Sequence, residues 1–259
     1  NKLFSCAAII FLLACYFNTL YQFSNISFWK TDALIYLDTY FPKLKYEGRW
    51  VNYIFFDFLR QTPGIIAYIV ASLCTMIFSW KVVFSIVNCR LYASILALVS
   101  IQVPLLTAQM LWPFVSYPAF ILLGLSALVV NRMPYFLFFP IFGILFSASL
   151  NHFYFLLPLL FLKDITPKRA FFIGLSWVFG FFLGYGVANA VTYLHSGDVI
   201  RLADWRNAKY PHSLKEILGN FQFTFKSLFH ANHLFYDFVG SIGVVLCSLA
   251  LLSIKSLSV

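Results

Sequence analysis

Residues 171–194 read FFIGLSWVFGFFLGYGVANAVTYL, a run of 24 residues without one charged side chain. At a helical rise of about 1.5 Å per residue, such a run is long enough to cross the roughly 30 Å hydrocarbon core of a bilayer. The stretch therefore predicts a transmembrane helix. Gly180 and Gly184 form a GxxxG pattern within it, with Gly186 nearby, which predicts close packing against another helix.

Seven further apolar stretches accompany this one, so the predicted fold class is all-α: a polytopic integral membrane protein of about eight transmembrane helices. The whole chain, residues 1–259, is predicted to form a single transmembrane domain. The fifth and sixth spans are short and meet at Asn151-His152, where two tight spans or a re-entrant bend both fit. The remaining predicted spans are Leu3–Phe23, Thr62–Trp80, Leu91–Thr107, Phe114–Val130, Tyr135–Ser149, Phe153–Leu162 and Phe238–Ile254.

The composition agrees with a lipid environment. Hydrophobic residues make up 61% of the chain and charged residues 10%, whereas soluble domains carry about 25% charged residues. The net charge of +9 does not indicate nucleic acid, because the basic residues lie in short loops between apolar stretches. The five cysteines form no metal-spaced pair, so neither a zinc site nor a disulfide framework is predicted.

The two chain ends suggest more sequence beyond them. The first apolar segment lacks a small-x-small cleavage site, so we expect an uncleaved span rather than a signal peptide. The chain begins abruptly at Asn1 and stops at Val259, just after an apolar stretch. We therefore expect it to be part of a longer protein.

Loop charges predict the orientation. One side of the eight-span arrangement holds eight basic residues and a single acid, Asp164, whereas the other holds ten basic residues and eight acids. Short cationic loops stay in the cytoplasm. The cytoplasmic basic residues are predicted to be Lys2, Lys81, Arg90, Arg132, Lys163, Lys168, Arg169 and Lys255.

Four connections then face outward, and they carry all five histidines and eight of the nine acids. The first outer loop runs over residues 24–61 and the long fourth loop over 195–237. The second is the turn at 109–113, and the third is Asn151-His152. We expect chemistry or recognition on this outer face.

In the first outer loop, Asp32 follows the first span closely, with Lys30 beside it. A carboxylate near the membrane plane can act as general base on an acceptor hydroxyl. An Asx turn or a helix N-cap is the structural alternative for Asp32. Asp38 is predicted to support substrate binding or to be solvated. Residues 50–60 predict an interfacial helix that lies along the membrane surface.

Gly48-Arg49-Trp50 precedes that helix. The planar guanidinium of Arg49 matches phosphate oxygens, and Trp50 offers a face for a sugar ring. The alternative is an Arg at headgroup level beside a Trp of the aromatic belt.

The other outer connections supply further candidates. Gln109 and Trp112 are predicted either to line a sugar site or to form a simple turn. His152 is predicted to bind sugar or acceptor because ionisable groups at the membrane edge are usually functional, although a structural histidine also fits.

In the fourth loop, Arg201 and Arg206 are candidates for binding phosphate, and Trp205 for binding sugar or acceptor; a solvated, ion-paired surface is the alternative. Ser213 and Glu216 form a capping box that predicts a helix through Phe225. His230 and His233 lack a third ligand, so no metal site is predicted.

Five features occur along the chain: an early Asp after the first span, Gly48-Arg49-Trp50 leading into an interfacial helix, Gln109 to Pro113, Ser149–His152, and Arg201 to Arg206. Together they resemble the bacterial glucosyltransferases that modify O-antigen in serotype conversion. The likeness covers about residues 1–215. The family's early acidic pair is here a single Asp32 preceded by Thr31.

The resemblance implies a GT-C type glycosyltransferase of the bacterial inner membrane. Such an enzyme moves a sugar, glucose in that family, from a polyprenyl-phosphate carrier to a glycan acceptor on the periplasmic face. Asp32 is then the base, and Arg49, Arg201 and Arg206 bind the donor phosphate. No metal or other cofactor is expected, and no nucleic acid. Expected partners are membrane lipids and membrane proteins that supply or flip the donor.

Two other functions remain open from the residues alone. A transporter or flippase for a lipid-linked saccharide would use the same cations for binding only, but it often shows inverted repeats and charge at the bilayer midplane. An O-antigen or capsule polymerase would also place arginines in large outer loops.

Overall fold

The computed structural model of the chain describes residues 2–24, 39–102, 113–163, 165–200, 213–219 and 222. All regular secondary structure within these ranges is helical. Contacts divide the chain into two compact units, residues 1–102 with 109–202 and residues 103–108 with 203–259. In the second unit the description covers a short helix at 214–219, where the Ser213 hydroxyl accepts a hydrogen bond from the Glu216 backbone N–H, as the capping box predicts.

The first unit contains nine α-helices and one 3-10 helix in its described residues. Seven of the eight predicted apolar stretches are largely helical in their described residues, and the eighth, Phe238–Ile254, lies outside the described residues. In chain order the helices are α1 (Lys2–Ser24), α2 (Phe41–Glu47), α3 (Trp50–Ile54), α4 (Phe56–Gln61), α5 (Gly64–Val87), α6 (Arg90–Ser100), α7 (Pro113–Val129), α8 (Tyr135–Ser147), the 3-10 helix (Asn151–Phe161) and α9 (Pro167–Ser196).

Two of these helices, α5 and α9, are long and apolar enough to cross a membrane. Only 22% and 17% of their most apolar windows are buried within the protein, so much of each helix is at least partly accessible at the surface. On α9, Phe171, Phe179 and Phe182 are exposed. Exposed apolar surface of this extent favours contact with lipid over contact with water, which supports a membrane location.

Several helix boundaries differ from the prediction. The predicted span Thr62–Trp80 continues to Val87, so Lys81 lies within α5 rather than in a loop. The helix ends where Asn88 adopts a left-handed conformation with φ of 53°. Nothing between Trp80 and Asn88 breaks a helix, and a charged side chain alone does not end one.

The first outer loop is more helical than predicted. Helix α2 forms within it, with Pro42 in its first turn and Gly48 just past its end, both typical helix-boundary residues. The predicted helix over 50–60 is present but interrupted at Phe55, so that α3 and α4 replace one continuous helix.

The segment after α8 is a 3-10 helix rather than an α-helical span. The chain is extended at Leu150 and then continues from Asn151 to Phe161 with Pro158 inside. Tyr154 joins this helix to its neighbours, since its hydroxyl donates to the carbonyl of Phe139 (3.2 Å) or that of Trp177 (2.7 Å).

Helices α8 and α9 cross closely at glycines, which confirms the packing predicted from the GxxxG pattern. A Cβ atom on Gly180 would overlap the carbonyl oxygen of Phe139 and the hydroxyl of Tyr154. A Cβ atom on Gly184 would overlap the carbonyl oxygen of Gly143 on α8. The backbones therefore approach as near as only glycine permits.

Gly180→Ala is expected to lower the free energy of unfolding by about 1–3 kcal/mol, because the added methyl group forces the two helix backbones apart. Gly174→Ala on the same helix is the matched control. Among the described residues, no atom beyond the neighbouring backbone of its own helix lies within 4 Å of its new Cβ, and alanine favours helix. Unfolding of both purified variants in detergent checks this, and equal midpoints would contradict the close crossing.

Candidate functional site

The turn that carries Gly48-Arg49-Trp50 has a conformation that requires glycine. Gly48 has φ of 67°, and its backbone N–H donates to the carbonyl of Leu44 at 2.9 Å, ending α2. A Cβ atom here would also overlap the side chain of Ile200. The motif is thus a helix C-terminus packed against the chain that follows α9.

A cluster of three charged side chains surrounds this turn. The carboxylate of Glu47 contacts the Lys43 ammonium at 2.8 Å and the Arg49 Nη2 at 2.6 Å. The side chains are 10–14% exposed. Ion pairs with so little exposure are screened weakly, and each member depends on its partner. We call Lys43, Glu47 and Arg49 the charged cluster.

Two buried polar residues border the charged cluster. Burial raises the pKa of the Tyr40 hydroxyl to about 12, and the negative charge of Glu47 acts in the same direction. The positive charge of Arg49 and the hydrogen bonds from Arg49 and Asn52 lower this pKa, but they do not outweigh burial. The Asn52 amide donates to the Val115 carbonyl at 2.9 Å. Tyr40 is therefore a neutral hydroxyl at physiological pH.

Contacts bring the predicted outer connections together at the charged cluster. The Val51 N–H donates to the Ala148 carbonyl (3.1 Å), beside the third connection. The Thr192 hydroxyl lies 3.3 Å from the Leu44 carbonyl, near the end of α9. Lys45 pairs with Asp198 at 3.8 Å, at the start of the fourth connection. Asn52 binds Val115 at the start of α7, next to the second connection. The first outer connection therefore contacts residues that adjoin the second, third and fourth outer connections.

Three buried hydrogen-bond donors at this junction have no acceptor among the described residues: Arg49 Nη1, Trp50 Nε1 and Ser149 Oγ. Arg49 and Trp50 lie within two residues of Val51 in the chain, and Ser149 directly follows Ala148. A backbone hydrogen bond joins Val51 to Ala148. A buried donor left unpaired costs about 1–3 kcal/mol. A ligand that presents oxygen atoms, such as a phosphate or a sugar, would satisfy such donors.

His152 lies beside this junction. Its side chain is exposed at the surface, yet nearby protein removes enough water to lower its pKa, and the positive charge of Arg49 lowers it further. The ring is therefore neutral at physiological pH, with one nitrogen as donor and the other as acceptor.

The structure places three of the ten predicted site residues, Arg49, Trp50 and His152, and brings them to one junction. The other seven lie outside the described residues: Asp32, Asp38, Gln109, Trp112, Arg201, Trp205 and Arg206. Their roles stay predictions.

The structure adds to the junction five residues without a predicted role: Glu47, Lys43, Tyr40, Asn52 and Ser149. The spacing of Lys43 and Glu47, four residues apart before a Gly, is a signal that identifies a paired helix face. Nothing local in the sequence indicates that Tyr40, Asn52 and Ser149 are buried there.

Within the described ranges, no three His, Cys, Asp or Glu side chains converge as metal ligands would. Comparison with known proteins finds no match for the chain among protein-family models, curated proteins or solved structures.

Proposed function

We propose that this chain is a membrane glycosyltransferase of GT-C type. It transfers a sugar from a polyprenyl-phosphate carrier to a cell-surface glycan on the periplasmic face of a bacterial inner membrane. The proposal includes about eight spans and the orientation derived from the loop charges. The observation that carries it is the group of three buried unpaired donors beside the charged cluster.

The reaction needs what this junction offers. The acceptor oxygen forms a bond to the anomeric carbon while the bond from that carbon to the phosphate oxygen breaks, and its electron pair leaves with the phosphate. The acceptor's proton passes to a base, which we assign to Asp32. Fixed donors and cations stabilise the charge that develops on the phosphate. Arg49 supplies such a cation: Glu47 engages its Nη2, the guanidinium also hydrogen-bonds to Tyr40, and Nη1 is buried with no acceptor assigned among the described residues.

The site's location suits a lipid-linked donor. The junction contacts the ends of α8 and α9, and α9 exposes a broad apolar surface. A polyprenyl tail can lie along such a surface while its phosphate reaches the polar junction. The neutral His152 and the indole of Trp50 then provide hydrogen bonds and a stacking face for sugar or acceptor.

Arg49→Lys tests this assignment. The variant retains a positive charge beside Glu47 but loses the planar fork, so we expect the KM for the lipid-linked donor to rise about tenfold. Transfer is measured with the purified chain in lipid nanodiscs, radiolabelled polyprenyl-phosphate glucose and O-antigen acceptor. Arg60→Lys is the matched control, since Arg60 lies in the partly exposed pair with Asp57.

An unchanged KM in Arg49→Lys would remove Arg49 from the donor site. Absence of transfer by the wild-type chain from polyprenyl-phosphate glucose, mannose and galactose alike would overturn the proposed function itself.

A further inference from the structure

A second polar site lies at the other end of the helices. It is a cavity of about 610 Å³, lined by the last turns of α5, the connection between α7 and α8, the end of the 3-10 helix and the first turn of α9. The charged cluster lies at the opposite ends of α7, α8 and α9, as the hydrogen bonds of Val115, Ala148 and Thr192 show. The cavity is therefore separate from the proposed sugar-transfer site.

Three cations from different parts of the chain line this cavity: Lys81, Lys163 and Arg169. No acid lines it within the described part of the chain, where the acids are Glu47, Asp57, Asp198 and Glu216. Asp164 follows Lys163 in the chain and lies outside the described residues. Several cations in a concave site, with no acid among the described residues that line it, make the electrostatic potential there positive. A positive potential favours the binding of an anion.

Neutral polar groups and apolar side chains complete the lining. Asn88 and Asn131 supply amides, and Tyr135 supplies a hydroxyl. Phe84 and Phe161 form part of an apolar wall. The volume is within the range of small-molecule sites and exceeds what a single phosphate group fills. Cations beside amides and an apolar wall match a phosphate group that carries a larger organic body.

We propose that this cavity binds an organic phosphate, in the form of an anionic phospholipid headgroup or of a free phosphate compound. Lys81, Lys163 and Arg169 contact the phosphate oxygens, and the aromatic wall accommodates the attached glycerol or acyl carbons. Basic pockets between helices are known to hold anionic headgroups in this manner. The proposal does not depend on the sugar-transfer reaction.

The test measures binding to the purified full chain by native mass spectrometry and by thermal shift in neutral detergent. The probes are phosphatidylglycerol, phosphatidylcholine, glycerol 3-phosphate and inorganic phosphate. The triple variant Lys81→Gln, Lys163→Gln, Arg169→Gln is expected to bind phosphatidylglycerol about 100-fold more weakly, since each cation near a headgroup contributes roughly a factor of five. The matched control is Arg90→Gln, Arg132→Gln, Lys168→Gln, which removes the same charge without touching the cavity lining.

The outcomes separate the possible sources. If phosphatidylglycerol binds tightly and the cavity triple variant weakens this binding, the ligand is a lipid headgroup. If glycerol 3-phosphate binds and the same variant weakens its binding equally, the ligand is a free phosphate compound. Equal losses in the two triple variants would mean general surface attraction and would overturn the proposal, as would wild-type binding to none of the phosphate probes. If the first triple variant does not fold, Lys163→Gln and Arg169→Gln serve singly, because both residues are exposed, and undiminished binding in both would overturn it.

Discussion

Replacing Asp32 by asparagine is expected to lower the rate of sugar transfer by about 10²–10⁴-fold, the usual contribution of general acid–base catalysis. The amide retains the size of the side chain and much of its hydrogen bonding but cannot accept the acceptor's proton. Donor binding is expected to persist, because the proposal assigns the phosphate contacts to Arg49 and other cations rather than to Asp32. The measurement is single-turnover transfer in nanodiscs, together with binding of the lipid-linked donor.

Asp57→Asn is the control for this loss, since Asp57 is 81% exposed and pairs with Arg60 at the surface. It is expected to transfer at the wild-type rate. The same experiment separates the alternatives. Unchanged transfer in Asp32→Asn would show that Asp32 is not the base, whereas translocation of lipid-linked saccharide without transfer would indicate a flippase. Products of many repeat units would indicate a polymerase.

Glu47→Gln is expected to lower the free energy of unfolding by about 3 kcal/mol, because it leaves Lys43 and Arg49 as neighbouring cations without their shared carboxylate. Removing one partner from a buried ion pair is strongly destabilising, since the remaining charge stays desolvated. The three side chains are 10–14% exposed, so water relieves little of this cost. Equilibrium unfolding in mixed micelles of mild detergent and dodecyl sulfate gives the difference.

Asp57→Asn is again the matched control, because it breaks an ion pair of 3.5 Å that is largely exposed. Such surface pairs contribute at most about 1 kcal/mol, so its unfolding midpoint is expected to stay close to the wild-type value. Equal midpoints for Glu47→Gln and Asp57→Asn would contradict a structural role for the charged cluster.

The helical fold could be read from the sequence because long apolar runs and helix-boundary residues are local signals. The run over 171–194 lies within α9, and the GxxxG glycines lie at the close crossing with α8. One boundary was predicted wrongly because a charged side chain was taken to end a helix, although no helix-breaking residue lies nearby. Lys81 was predicted to lie in a loop, but α5 continues through it to Val87.

The candidate site could be predicted only in part. Arg49, Trp50 and His152 stood out as polar or aromatic residues at the edges of apolar stretches, and the structure brings them to one junction. Glu47 lies two residues before Arg49 in the sequence, but its pairing with both Lys43 and Arg49 depends on the turn at Gly48. The burial of Asn52 and Ser149 depends on chain more than 60 residues away.

The sequence by itself determined the apolar character of the helices and the positions where two helices approach closely. These properties depend on the residue types within a single stretch of chain. Only the tertiary structure decided that the Leu44 carbonyl meets the Thr192 hydroxyl, that Val51 binds Ala148, and that Lys81, Lys163 and Arg169 share one cavity. Which residues far apart in the chain become neighbours depends on how the helices pack, and their packing is a property of all of them together.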